Sequence, residues 1–351
     1  MEFATVTLSV FDPFYIAFGW IMRILYDLVS NYGIVIILFT VLIRGVLLLP
    51  LNIRSQRSLM KQQAVAPLIA DLKRRYGDDK QHIQEEQMKI YKEHGVKMTA
   101  GCLPMVLQML IIIPIWRAIQ APLLYIMNIS KANLQNISDF LVSGGPNVSA
   151  NLLTAGQAKT ILTNNIPLIT ALEKNAAALA HAVNSGWMKM SDLLDLRFLG
   201  LDLGATPTIS PEKLFGAEMG IYLPLMLIPI LSVVTTFLQS KVTEWTSPAQ
   251  KRLKEQKALA KKNPARQAPP ADPTSSMTAS MKYFMPVMIA FFTFSMPAAM
   301  GLYWVVGNIL GIAQSYVIYW ILYGFPKKKL AIPANLNTGN KGKTAEIPAK
   351  T

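Results

Sequence analysis

The chain has 351 residues, 52% of them hydrophobic and only 15% charged, a balance that excludes an ordinary soluble globular domain. Its apolar residues gather in runs that approach or exceed the ~18–20 residues needed to cross a ~30 Å hydrocarbon core, so it reads as a multi-pass membrane protein. The formal net charge of +14 sits mostly between those runs, where it signals topology rather than nucleic-acid binding.

In chain order, residues 1–32 read as an extracytoplasmic N-terminus. They lack a basic n-region, a small-residue cleavage site and a lipobox-style cysteine, so no cleavable signal is expected. FDPFYIAFGWIMRILYDLVSNY, residues 11–32, is apolar but interrupted by Asp12, Arg23 and Asp27. That pattern predicts an amphipathic helix in the outer interface, with Phe14, Tyr15, Phe18 and Trp20 at headgroup level. The first span covers 33–53. Segment 54–102 then forms a helical hairpin. Val65, Leu68, Ile69, Leu72 and Tyr76 make one apolar face. Pro67 should kink or restart that arm. Gly77 stops it, Asp78 or Asp79 caps the next helix, and Ile83, Met88, Ile90 and Tyr91 line the second arm before Gly95.

The second span covers 103–127, interrupted by Pro114 and Pro122. A long loop, 128–220, carries candidate helices around 152–163 and 167–184, the latter opened by Pro167. The third span is 221–239. A basic, Pro/Ala-rich loop of 240–280 follows, then spans at 281–297 and 299–323 and a basic tail at 324–351. Lys and Arg number ten in 54–102, nine in 240–282 and six in the tail, against one in 1–33 and six across the 93 residues of 128–220. The positive-inside rule therefore places 54–102, 240–282 and the C-terminus in the cytoplasm and the N-terminus outside. Five crossings satisfy this count.

The most informative residue is Arg44, in GIVIILFTVLIRGVLLLPL. It lies about 16 Å along the helix from Gly33, near mid-membrane. A lipid-facing arginine at that depth costs roughly 2.5–3.5 kcal/mol, so a water-containing cavity or polar partners are expected around it. No span supplies an Asp or Glu near mid-depth, which argues against a proton relay. Thr40, Gln108, Ser232, Thr235, Thr236, Asn308 and Gln314 are the uncharged polar residues available. Singly each reads as a helix–helix hydrogen bond; together with Arg44 they would line one hydrophilic groove.

Other signals are weaker. Cys102 alone excludes an internal disulfide, and His82, His94 and His181 lack metal-ligand spacing, so neither a metal nor a cofactor is expected. GNKGKT at 339–344 lacks the first glycine of a phosphate loop. Gly307 and Gly311 form GxxxG, read as close packing within the bundle. The methionines read as gap filling. Lys327, Lys328 and Lys329 read as a cytoplasmic anchor, with ribosomal RNA or anionic lipid as possible contacts.

Several stretches resemble, in order, the YidC/Oxa1/Alb3 family of membrane-protein insertases. They are the apolar helix with one arginine, PLNIRSQRSLMKQQAVAP, a charged hairpin, GCLPMVLQMLIIIPIWRAI and MGLYWVVGN. FLGLDLGATP resembles the family's lead-in to the third span. The resemblance implies an all-α membrane protein with five transmembrane helices around a hydrophilic groove, a cytoplasmic hairpin and an N-terminal interfacial helix. The groove would be open to cytoplasm and lipid and closed outside. By position the groove arginine is Arg44, with Gln108 and Trp304 bordering it. The large domain that precedes the first span in Gram-negative members is absent, as in shorter Gram-positive-type proteins, and the 128–220 loop is enlarged. Asn128, Asn136 and Asn147 head Asn-X-Ser sequences that a bacterial protein would not use.

The expected function is therefore non-enzymatic insertion of nascent membrane proteins into the plasma membrane. Membrane lipid is a partner, the ribosome and a Sec translocon are candidate partners, DNA is not, and the working unit is a monomer. The competing readings are a transporter or channel for an anionic solute using Arg44, and an intramembrane enzyme. The first lacks a visible inverted repeat, and the second lacks a nucleophile–base pair.

Overall fold

The computed structural model describes the backbone of residues 2–77, 79–95, 103–145, 147–247, 258, 284 and 286–323. Side chains at 2–10, at several positions in 59–80 and at 103–109 fall outside that description. Helix α1 (Glu2–Val29) runs through Pro13. It starts earlier and stops sooner than the expected 11–32. Tyr15, Phe18, Met22 and Tyr26 are buried along one stripe, while Ile16, Trp20, Ile24 and Leu28 are exposed at four-residue spacing on the opposite side. Asp12, Arg23 and Asp27 project from the edge between the two, where Arg23 pairs with Asp27 at 2.9 Å. A helix apolar on both faces with one charged edge suits a position between protein and lipid better than one facing bulk water.

Asn31 starts the next helix by accepting the Ile34 N–H. Helix α2 (Tyr32–Leu42), a π-helical turn (Ile43–Leu48) and α3 (Leu49–Tyr76) then form one rod of about 67 Å at ~1.5 Å per residue. The first span thus continues without a break into the first arm of the hairpin, rather than ending near 53. Pro67 neither ends nor restarts α3. Losing one backbone hydrogen bond is tolerable on a polar arm, where water can take the freed carbonyl. Gly77 closes the arm with φ of 55°, and Asp79 caps α4 (Lys80–Glu93) by accepting the His82 N–H at 3.0 Å. Between the arms Val65, Leu72 and Ile83 are buried. Leu68 and Met88, expected on the inner faces, are exposed, while Tyr76, also partly exposed, packs edge-on against the His82 ring of α4.

Helix α5 (Leu103–Gln120) holds Pro114 internally and ends before Ala121, so the expected 103–127 span is cut short and the four-residue α6 (Pro122–Tyr125) starts anew at Pro122. The long loop that follows is an ordered cap. It contains α7 (Lys131–Ser143), α8 (Ala155–Lys159), α9 (Ile166–Lys174), α10 (Ala176–Asn184) and a hairpin of β1 (Arg197–Phe198) and β2 (Leu201–Asp202). The helix expected over 167–184 is two helices, because Asn175 leaves helical geometry and caps α10 through the Ala178 N–H. The one expected over 152–163 shrinks to α8. Leu134, Ile137, Leu141, Leu168, Ile169 and Leu172 belong to the same core as the ends of the membrane helices.

The cap is tied to those ends by backbone bonds. Tyr32 N–H donates to Asp195 O, Asn165 N–H to Gln120 O, and Ala298 and Ala299 N–H to Ala205 and Leu203 O. After α11 (Pro211–Phe215), α12 (Met219–Leu225) and α13 (Leu227–Thr246) form a span that bends at Met226. Pro229 has no N–H for the Leu225 carbonyl, which explains the bend. This span reaches seven residues past the expected end at 239. Residues 286–295 form α14, and α15 (Ala298–Tyr323) completes the described chain. Among the described residues three helical stretches are long and apolar enough to cross a membrane, Tyr32–Ser58, Met219–Thr246 and Ala298–Leu322; Leu110–Gln120 and Pro286–Ser295 are shorter apolar pieces.

Candidate functional site

Arg44 sits in the π-helical turn. Pro50 cannot donate to the carbonyl four residues back, and its ring collides with it. The rod answers by widening one turn, so that the Leu49 N–H reaches the Arg44 carbonyl five residues away. Such a turn re-aims the side chains it carries and is common at functional sites. Arg44 lies about 18 Å along the rod from Tyr32.

Its guanidinium lies on α15. A Cβ placed on Gly307 would stand 3.0 Å from Arg44 Nη2 and 3.3 Å from Nε. A Cβ on Gly311 would stand 3.1 Å from Arg44 Nη1 and would overlap the Gln239 amide nitrogen. The GxxxG pair therefore does not bring two helix backbones together. Its two missing side chains make the shelf on which the arginine and the glutamine of α13 rest. Arg44 Nε is buried and has no hydrogen-bond partner. Among the described residues no carboxylate is placed against the charge; the titratable group it senses is the Tyr303 phenol, buried on α15. Gln314, one helical turn beyond Gly311, also keeps a buried Nε2 without a partner. Trp304, half-buried, precedes Gly307 by three residues and shares that stripe of α15.

The other polar residues expected to line a groove do something else. Asn308 Nδ2 donates to Thr235 Oγ1 at 3.0 Å and to Thr236 Oγ1 at 2.8 Å. Those hydroxyls donate in turn to the Leu231 and Ser232 carbonyls. Ser232 Oγ faces the Gly301 carbonyl at 3.5 Å. All four side chains are buried in the seam between α13 and α15, so Ser232, Thr235 and Asn308 join helices instead of facing an open groove. Thr40 is fully buried and donates to its own helix at Ile36 O, 2.6 Å away. The Gln108 side chain lies outside the described residues.

Two participants escape a sequence reading. Gln239 was legible only as the last residue of an apolar run, and the glycines only as a packing motif. The signal that links them is the pairing of one mid-span arginine with a glycine gap on another helix. Arg44, Gln239 and Gln314 together offer hydrogen-bond donors in apolar surroundings, and among the described residues Arg44 Nε and Gln314 Nε2 are buried without an acceptor. Chemically this favours an acidic or carbonyl-rich segment entering from outside the protein.

The family model described as 60Kd inner membrane protein matches residues 24–323. The membrane protein insertase YidC 2 of Bacillus anthracis is 28% identical over 293 residues, covering 82% of this chain and 72% of that protein. The membrane protein insertase YidC of Saccharophagus degradans is 27% identical over 294 residues, 84% of this chain but 33% of its own length. That of Granulibacter bethesdensis is 41% identical over 107 residues, 30% of this chain and 18% of that protein. The chain thus spans most of the Bacillus relative and a third or less of the other two.

Proposed function

We propose that this chain, which belongs to the YidC/Oxa1/Alb3 insertase family, receives nascent membrane proteins in a polar site at Arg44 and releases their helices sideways into the bilayer. It is an integral membrane protein, and the proposed work makes or breaks no covalent bond. Five helices surround the groove: the first from Tyr32, then α5, the α12–α13 span, α14 and α15. The N-terminus and the cap lie outside, and the hairpin, the 240–280 loop and the tail lie in the cytoplasm, where the basic residues concentrate.

The observation that carries the reading is the Arg44 guanidinium, its buried Nε without a partner among the described residues, resting on the Gly307/Gly311 shelf beside Gln239. A hydrophilic flank entering from the cytoplasm would meet these donors and shed less hydration than in lipid. The apolar segment behind it slides along α13 and α15, whose outward faces expose Ile230, Val234, Leu238, Ile309 and Tyr316. Burial in lipid at roughly 25 cal/mol per Å² drives release. The cap's backbone ties to α2, α5 and α15 support closure of the outer end. Within this proposal a single copy works, the basic loop and tail meet the ribosome, and cooperation with a Sec translocon is compatible.

The test is site-specific crosslinking from position 239 to a ribosome-stalled membrane protein. The reading predicts adducts that form at 239 and at 44 and are absent at the lipid-facing position 16 of α1. Crosslinks equally strong at all three positions would contradict it.

A further inference from the structure

The cap contains a local choice that no contact among the described residues explains. β1 and β2 are joined by the two-residue turn Leu199–Gly200, with Phe198 and Leu201 paired across it. Both turn residues have positive φ, 50° for Leu199 and 80° for Gly200. That is the pattern of a type I′ turn, whose first position favours Asn, Asp or Gly. A leucine there is sterically disfavoured. Leu199 is also 85% exposed, so packing within the protein does not compensate.

Its position supplies a reason. The Phe198 ring occupies the space where Gly33 would carry a Cβ, at the outer end of α2. Asn31 Nδ2 donates to Arg197 O at 2.9 Å, and Asp195 N–H donates to Tyr26 Oη of α1 at 3.1 Å. The hairpin tip therefore stands level with the first turn of the Tyr32–Ser58 span, beside the end of α1 whose Leu28 is exposed. Ile209, 74% exposed, and Phe215, 72% exposed, occupy the stretch that leads into the Met219–Thr246 span. Two exposed cations flank these apolar tips, Arg197 paired with Glu173 at 3.3 Å and Lys213 with Glu218 at 3.9 Å. Apolar tips with basic neighbours at the ends of spanning helices match the headgroup–acyl boundary.

We propose that the Phe198–Leu201 turn is a lipid-inserting finger: Leu199 enters the outer-leaflet acyl boundary, and Ile209 and Phe215 extend the same contact, so the enlarged cap is moored to the membrane as well as to the bundle. The occupant is bilayer lipid, because the finger is continuous with the outer ends of the spans and with the exposed apolar stripe of α1.

The test uses the full chain with Cys102→Ser, reconstituted in phosphatidylglycerol/phosphatidylethanolamine vesicles. A single cysteine at Leu199→Cys, or at Lys159→Cys on exposed α8, is labelled with an environment-sensitive fluorophore. The expected result is blue-shifted emission at 199, with several-fold stronger quenching by lipids spin-labelled near the headgroup than at 159, unchanged as the protein is diluted in lipid. Water-like emission at 199, or equal quenching at both sites, overturns the proposal. A blue shift that lipid does not quench and that fades on dilution also overturns it, by placing a second copy of the chain on the turn.

Discussion

The same two helices, α13 and α15, hold two polar clusters that are treated in opposite ways. In the seam, Asn308 donates to Thr235 and Thr236, and both hydroxyls donate onward to backbone carbonyls. On the neighbouring face of α15, Arg44 and Gln239 rest on Gly307 and Gly311, and among the described residues Arg44 Nε and Gln314 Nε2 are buried without partners. Polarity alone does not separate the clusters: the seam holds an amide and hydroxyls and the shelf holds amides and a guanidinium, all on apolar helices. Satisfaction does. A closed network contributes stability and gives a visitor nothing to bind, whereas unmet donors cost stability and attract acceptors.

The largest effect should come from filling the shelf. Gly311→Leu places a side chain where Gln239 and Arg44 now lie; overpacking of this kind costs about 1–3 kcal/mol. Insertion of reporter membrane proteins into vesicles should fall to background. A normal rate would show that the shelf is incidental. Removing the hairpin tip comes next. Deletion of 78–93 leaves the bundle and its seam intact, so the protein should remain in the membrane while insertion and growth of a dependent strain are impaired. Normal growth would make the hairpin dispensable.

Breaking the closed cluster should have the reverse signature. Asn308→Ala leaves the seam without its bridging amide and should lower thermal stability in detergent by about 1–3 kcal/mol, while the folded protein still inserts substrates. Loss of activity at unchanged stability would erase the distinction between the clusters. The smallest effect belongs to the Glu86–Lys89 pair on exposed α4. The Lys89 hydrogen bond holds the Glu86 carboxyl below its usual range. Its contribution is present above that range and disappears as pH falls through the depressed value. Because the pair lies at the surface, where solvent screens it, Glu86→Gln should leave insertion unchanged, and acid titration of helix content should not resolve it.

Much of the helical architecture was legible because membrane helices must be long and apolar. Caps were legible too: Gly77 and Asp79 act through backbone geometry that the sequence encodes locally. What escaped depends on contact between distant segments. The break at Asn175 was hidden in an alanine-rich run whose propensity favours one helix. The continuity of α3 through Pro67 depends on a freed carbonyl finding water. Arg44 was visible as an anomaly, yet its resting place was not, because glycine spacing on α15 carries no mark of the side chain that fills it. Asn308 and Thr235 looked like groove residues for the same reason: the sequence shows polarity but not whether it is already spent.

The central claim is that Arg44 is an unpartnered charge held ready for substrate. It is tested most directly by insertion of two substrates that differ only in the charge of their translocated flank, using Arg44→Ala and Arg44→Lys with protein level measured alongside. The account predicts that Arg44→Lys keeps much of the activity. It predicts that Arg44→Ala loses the acidic-flank substrate first and leaves protein level unchanged or higher, because an uncompensated charge has been taken out of the membrane. Full activity of Arg44→Ala on both substrates, or a fall in protein level that accounts for the loss, would contradict it.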